Sequence, residues 1–288
     1  MNVIINLNKP SGITSRQAVT KVQRLLGARK AGHAGTLDPM ATGVLIICLN
    51  EATKVTRFLM DMDKQYIARI KLGERTDTYD AEGRVTESKD ISFLKEADVF
   101  DAVRTFKGVI RQKPPMYSAV KIGGKTLYKL ARKGIEIDRP ERTVHVYDIG
   151  ITSIDMPYFD VTISCSKGTY IRSLCDDIGM KLGTGAHMTS LERKAVGGFH
   201  VNNALSFDEL TSSEGLFYSI DQALIKLPAI ELKEADYQKL KHGMKIVSET
   251  FKPYDGEFLR MQDPEGRLFA IGRAESNIVS VERVLNLA

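Results

Sequence analysis

Residues 32–45 read Gly32-His33-Ala34-Gly35-Thr36-Leu37-Asp38-Pro39-Met40-Ala41-Thr42-Gly43-Val44-Leu45. Three glycines flank one carboxylate, and glycine lets a backbone approach a ligand closely or adopt positive φ. Asp38 is the first acidic residue of the chain. In so basic a neighbourhood its carboxyl is expected to stay ionised. Aspartate before proline is also a common turn residue, so spacing alone leaves Asp38 open between a catalytic group and a turn. Downstream, residues 44–49 are an apolar run rich in branched side chains, which predicts a buried strand. Upstream, residues 15–26 predict a helix, with Ser15 as N-cap, Val19, Val22, Leu25 and Leu26 on one face, and Gly27 as its stop. Asp38 is therefore expected in a loop between a helix and a strand.

Further along, residues 65–72 alternate Tyr66, Ala68, Ile70 and Leu72 against Gln65, Ile67, Arg69 and Lys71, as a strand with one buried face does. Residues 93–106 and 169–182 predict helices, the second with Ile171, Leu174, Cys175, Ile178 and Leu182 on one face. Residues 144–154 and 159–165 predict strands. Residues 108–134 carry Pro114-Pro115, Gly123-Gly124 and many lysines. They read as a long excursion from the core with a short helix over about 125–132, and loops of that length are uncommon unless functional. Leu227-Pro228 opens a second unit, with a helix over about 233–240 ending at Gly243. Short strands follow, with Asp263-Pro264-Glu265-Gly266 turning between 257–261 and 268–271. The sum is an α+β chain, with a large mixed domain over 1–226 and a small β-rich one over 227–288.

Charge narrows the function. Residues 1–37 hold six basic residues and no acidic one, and residues 104–133 hold nine and none. The remainder is net acidic, with 26 basic against 36 acidic residues. Two basic blocks on an acidic body suit a localised polyanion footprint. The three cysteines, Cys48, Cys165 and Cys175, are widely spaced and fit neither a zinc pattern nor a disulfide framework, which points to a reducing cytoplasm. The first residues carry no basic leader and do not read as a signal peptide. No apolar run is long enough for a membrane span. No P-loop, dinucleotide fingerprint or zinc motif is present, so neither cofactor nor metal is expected.

Arg172 falls at a helix start, where the dipole disfavours a cation. A partner carboxylate is expected, and Asp176 one turn on is the local candidate. Tyr66 sits on a strand beside Lys64, a place that suits a core aromatic as well as a site residue. His33 has no companion at ligand spacing.

The ordered set Asn8-Lys9-Pro10-Ser11-Gly12, residues 32–45, Lys64-Gln65-Tyr66, Leu72-Gly73 with Thr76-Asp77-Thr78-Tyr79-Asp80-Ala81-Glu82-Gly83, then Gln112-Lys113-Pro114-Pro115-Met116-Tyr117-Ser118-Ala119-Val120-Lys121, Gly168-Thr169-Tyr170-Ile171-Arg172-Ser173-Leu174, and Leu191-Glu192-Arg193 with Gly197 and Phe199 closely resembles the TruB family, the tRNA pseudouridine-55 synthases. The likeness spans about residues 3–226. It implies a pseudouridine synthase fold, a central mixed, mainly antiparallel sheet flanked by helices, and a C-terminal tail similar to a small PUA RNA-binding domain. It implies Asp38 as catalytic carboxylate, Arg172 as its ion-pair partner, and Tyr66 packed on the target base or acting as a base. His33 would occupy space near the vacated stack, and Lys9 would border the site as support. Lys64 and Tyr170 lie in matched motifs as substrate contacts. The 108–134 excursion, with Lys121, Lys125 and Lys129, would grip the T-stem loop of tRNA and order on binding it. The target uridine would be flipped out before reaction. A carboxylate can attack C1′, shelter a glycal- or oxocarbenium-like state, or add to C6, and each needs an ionised Asp38. No cofactor or obligatory protein partner is implied, and a monomer is expected. The alternatives are a guide-RNA-dependent pseudouridine synthase subunit and a non-catalytic RNA-binding or RNA-folding protein.

Overall fold

The computed structural model describes residues 1–211 and 217–287. The chain opens with β1 (Val3–Lys9), α1 (Ser15–Leu25), β2 (Ala31–Ala34), β3 (Thr42–Leu49), α2 (Thr56–Met60) and β4 (Lys64–Leu72). A side hairpin follows, β5 (Glu74–Thr76) with β6 (Val85–Ser88), then α3 (Glu96–Arg104) and β7 (Gly108–Gln112). Next come the small hairpin β8 (Lys121–Ile122) and β9 (Lys125–Thr126), α4 (Leu127–Ala131), β10 (Arg142–Asp155), β11 (Tyr158–Cys165), α5 (Ile171–Lys181) and β12 (Ala186–Val196). β13 (Phe199–His200), β14 (Tyr218–Ser219) and α6 (Ile220–Ala223) complete the larger part. The tail holds β15 (Ala229–Glu231), α7 (Glu234–Lys241), β16 (Ile246–Val247), β17 (Phe258–Gln262), β18 (Leu268–Glu275) and β19 (Ile278–Val284).

The large sheet runs β14-β1-β3-β12-β4-β11-β10-β7, with β2 also on β3 and β13 on β12. Its named strands pair antiparallel among the described residues except at one seam, where β3 meets β12 in parallel through Thr42 with Glu192 and Gly43 with Arg193. That seam needs its glycine. Gly43 has φ +96°, and a Cβ there would lie 2.3 Å from the Arg193 carbonyl oxygen. β4 keeps the alternation read from sequence, burying Lys64, Tyr66, Ala68, Ile70 and Leu72. β3 is buried on both faces, which is why its run is uninterrupted. Leu45 and Ile47 face a core shared with α1 and α5, while Val44, Ile46 and Cys48 face a second one. The second cluster also contains Leu268, Ile271 and Leu285, so the tail packs into the larger part through apolar side chains.

The tail sheet runs β15-β17-β18-β19-β16. Arg260 fixes the connection, donating to the carbonyl of Leu227 at 2.9 Å and to Asp221 at 2.8 Å. Arg57 pairs with Glu282 at 2.7 Å across the same contact. Among the described residues no helix is long and apolar enough to cross a membrane.

Four local readings are corrected. The α1 cap is Thr14, whose hydroxyl accepts from the Gln17 N–H while the Gln17 side chain accepts from the Thr14 N–H, the reciprocal capping box. Ser15 is released for another task, and Leu25 turns outward. A strand, β2, precedes the Asp38 loop where only a loop was expected. Residues 108–112 form the edge strand β7, so the excursion begins after Gln112 and carries its own hairpin and helix, anchored by fully buried Leu127. The helix expected over 93–106 is Glu96–Arg104, with Phe93 exposed. All three cysteines are buried and free, and burial pushes the Cys48 thiol up to about 12, the Cys165 thiol up to about 11, and that of Cys175 up as well.

Candidate active site

The loop after β2 brings Asp38 to the wall of a cleft of about 470 Å³. Three buried side chains hold the backbone on either side of it. Ser15 donates its hydroxyl to the Leu37 carbonyl at 2.9 Å and accepts the Leu37 N–H at 2.8 Å. Arg193 donates to the carbonyls of Val44 at 2.7 Å and Gly35 at 3.0 Å. Lys9 spends its ammonium on the carbonyls of Pro10, Ile13 and Pro39. Each replaces a flexible loop contact with a buried hydrogen bond that is costly to leave unmade.

Arg172, the second residue of α5, supplies the partner that its helix position called for. Its Nε lies 2.9 Å from one Asp38 oxygen and its Nη2 donates to the other at 3.1 Å, a two-point fork. Nη2 also donates to the Tyr117 carbonyl at 2.7 Å, and Nη1 reaches the Thr78 carbonyl at 3.1 Å and Asp80 at 3.3 Å. Three of these contacts are hydrogen bonds, and the Nε–Asp38 and Nη1–Asp80 contacts are ion pairs. Asp176 is not among the partners, because it takes a two-point grip from Arg75 at 2.6 and 2.8 Å. Asp80 is buried, and it accepts from the Thr78 hydroxyl and the Glu82 N–H. The turn that presents it holds Tyr79 at φ +64°, an uncommon backbone for a non-glycine residue.

Burial raises the Asp38 carboxyl above the usual aspartate range, with Asp80 adding to the effect and Arg172 and Lys9 opposing it. The two-oxygen grip by a guanidinium is that of a carboxylate. Its ionisation thus rests on Arg172 in particular, rather than on a generally basic neighbourhood.

Tyr66 lines the same cleft and is nearly buried, and burial raises its hydroxyl above the ordinary phenol range. Lys64 also lines it, donating to the carbonyls of Met60 and Met62, with burial lowering its ammonium to about 8. Tyr170 lies on the wall, its backbone N–H and carbonyl both held by buried Gln112. Tyr117 and Tyr128 of the excursion close the cleft from the other side.

Other expected residues lie elsewhere. Lys9 is wholly buried behind the loop, so it supports the site rather than touching a ligand. His33 sits half-buried on β2 outside the cleft wall, with Nδ1 unpartnered and its pKa lowered by burial and by Arg193. Lys121, Lys125 and Lys129 are exposed on the excursion and do not line the cleft. Ser15 was read from sequence only as a cap, and Asp80, Gln112 and Arg193 were not singled out. Asp80, Gln112 and Arg193 fall in the matched motifs, and that was their one signal. Among the described residues no group of His, Cys, Asp and Glu is arranged to hold a metal.

Residues 23–171 match the family model described as TruB family pseudouridylate synthase, N-terminal domain. Residues 172–224 match that of the tRNA pseudouridylate synthase B C-terminal domain. The chain is 46% identical over 248 residues to tRNA pseudouridine synthase B of Clostridium tetani, covering 85% of this chain and 86% of that protein. To its counterpart from Chromohalobacter salexigens it is 41% identical over 290 residues, covering 99% and 94%. Among solved structures, a chain of a Cbf5-Nop10-Gar1 complex superposes with TM-score 0.75 at 27% identity, covering 98% of this chain and 84% of that one. A chain of the archaeal box H/ACA sRNP Nop10-Cbf5 complex gives 0.72 at 26%, covering 98% and 86%.

Proposed function

The chain belongs to the TruB family of pseudouridylate synthases, and from that premise we propose that it isomerises uridine to pseudouridine in tRNA, at position 55 of the T-loop. The observation that carries this is the Asp38 carboxylate, forked by Arg172 in a nucleoside-sized cleft that Tyr66 lines. The reaction breaks the C1′–N1 bond, turns the uracil and forms a C1′–C5 bond. The proton that C5 loses is balanced by one gained at N1. No electrons are exchanged with a partner. Asp38 supplies the negative charge that the ribose or ring carbon needs while the bond is broken. The Arg172 fork, which opposes the effect of burial, and the rigid mounting suit a group that must be both charged and aimed. Tyr66, with its hydroxyl held neutral by burial, serves as the stacking platform for the flipped base, worth about 1–3 kcal/mol. That neutrality weighs against a role as base.

The excursion grips the T-stem loop, with Lys121, Lys125 and Lys129 facing the phosphates. The β-rich tail is a PUA-like RNA-binding unit over residues 227–288, and the enzyme works in the cytoplasm without a guide RNA. The Cbf5 structures are solved in complexes, so independence from partners is the point to test. The protein alone is incubated with an unmodified T-arm stem-loop RNA and pseudouridine is mapped. Conversion at the single T-loop uridine is expected. Asp38→Asn should lower turnover by at least about a thousandfold, while RNA binding stays intact. Near-normal turnover in that variant sinks the assignment of Asp38, and a requirement for added guide RNA sinks the stand-alone reading.

A further inference from the structure

Of the cations in the basic block 1–37, only Lys9 takes part in the site just described. The block's other cations are Arg16, Lys21, Arg24, Arg29 and Lys30. All five are exposed. Among the described residues none of them makes a salt bridge, whereas Lys107, Lys113, Lys167 and Lys239 each have a carboxylate within 3.2 Å. Lys21 lies instead over the Phe207 ring, 4.1 Å from its centroid. Free, unpaired cations in a row are what a polyanion requires, because any carboxylate partner would have to be displaced first.

The placement gives the row a direction. α1 starts at the catalytic loop, where Ser15 is bonded to Leu37 and the Gly12 N–H donates to the Pro39 carbonyl at 2.9 Å. From there α1 runs for roughly 16 Å at 1.5 Å per residue. The chain then reaches Lys30, whose N–H and carbonyl are both bonded to Asn50 at 3.1 and 2.8 Å. Asn50 follows the far end of β3, a strand that spans roughly 26 Å from its start beside the catalytic loop. At that corner lies a cavity of about 600 Å³ lined by Arg29, Lys30, Lys54 and Asn50. Glu51, also on its wall, is already taken by Lys54 at 2.7 Å and by the Asn286 N–H at 2.7 Å. The excursion, by contrast, leaves the sheet at its opposite edge, after β7. The cleft therefore lies between two basic surfaces, one on each half of the sheet.

We propose that the α1 face, from Arg16 through Lys21 and Arg24 to Arg29 and Lys30, is a second RNA-binding track that takes the phosphate backbone of folded tRNA beyond the T-stem loop. This rests on the functional reading above. A T-arm hairpin engages the cleft and the excursion, whereas whole tRNA also lays backbone along α1. The track gives affinity and register, and it contributes nothing to the chemical step.

The test compares an isolated T-arm stem-loop with the complete unmodified tRNA, each titrated across a potassium chloride series. The combined variant Arg16→Gln, Arg24→Gln, Arg29→Gln should bind whole tRNA about tenfold more weakly, with a salt slope smaller by about two to three units. Its binding and turnover of the stem-loop should be unchanged, which also shows that the variant is folded. Neutralising Lys121, Lys125 and Lys129 should instead weaken both RNAs. Equal loss on both RNAs from the α1 variant, or loss on neither, overturns the track while leaving the enzyme's assignment standing. Failure of the unaltered protein to modify either RNA overturns the functional reading and the track together.

Discussion

Arg172 is held by Asp38, Asp80 and the carbonyls of Thr78 and Tyr117, and its fork on Asp38 uses Nε and Nη2. A lysine keeps the charge but not the fork. In Arg172→Lys, turnover should fall by about a hundredfold. The pH profile should move as well. On the proposed mechanism the active form is the ionised Asp38, and burial has already raised its pKa. Arg172 pulls that pKa down, so a weaker partner lets it rise, and activity should be lost at a higher pH on the acid side than in the unaltered protein. A kcat profile against pH checks this, and an acid limb that stays in place would contradict it. Ser15→Ala strands the buried N–H and carbonyl of Leu37, at about 1–3 kcal/mol. A lower melting temperature and a reduced kcat are expected, read by thermal melts and steady-state kinetics; an unchanged kcat would mean the loop holds itself. Of these residues, Asp38 and Arg172 were legible through their motifs. Ser15 was misread as a cap, although Thr14 with Gln17 three residues on has the capping-box spacing. Arg193 was illegible as a support because its acceptors are backbone carbonyls 149 and 158 residues away, and no side-chain pattern encodes those.

α5 carries two adjacent acids with different fates. Asp176 is gripped by Arg75, whereas burial, with Asp176 adding, pushes the neighbouring Asp177 up to about 6 from an ordinary 3.8. Between those values the folded chain holds a proton that the unfolded chain has lost. Stability from this group is therefore present at low pH and declines as pH rises through that window. Asp177→Asn should stabilise the protein at pH 7.5 by roughly 1–2 kcal/mol after allowance for solvent screening, and should change little at pH 4. Urea melts at the two pH values decide it, and equal effects at both would rule out the linkage. β3 and β4 were readable because burial on two faces and on one face leaves distinct patterns. β2 was not, since Ala31-Gly32-His33-Ala34 has no branched side chain and owes its strand to pairing with β3.

The tail and the larger part share one apolar cluster, in which Leu268, Ile271 and Leu285 meet Val55 and Leu59. Arg260 and the Arg57–Glu282 pair frame that contact. Unfolding in a calorimeter should accordingly be one cooperative transition, and two separated peaks would show that the tail melts by itself. Leu227-Pro228 was read from sequence as the start of a second unit. The shared cluster was not readable there, because the apolar pattern of β18 says that it is buried and not against what. The same limit applies to charge. Two basic blocks are plain in the sequence, but their placement on opposite halves of one sheet follows from strand order alone.

The buried thiols have a practical corollary. Cys48, Cys165 and Cys175 are inaccessible and held protonated at neutral pH, so a maleimide dye finds no thiolate to attack in the folded chain. A single cysteine introduced on the excursion at exposed Lys133 can then be labelled without first removing the natural ones. Fluorescence from that position would follow the approach of the excursion to RNA in real time.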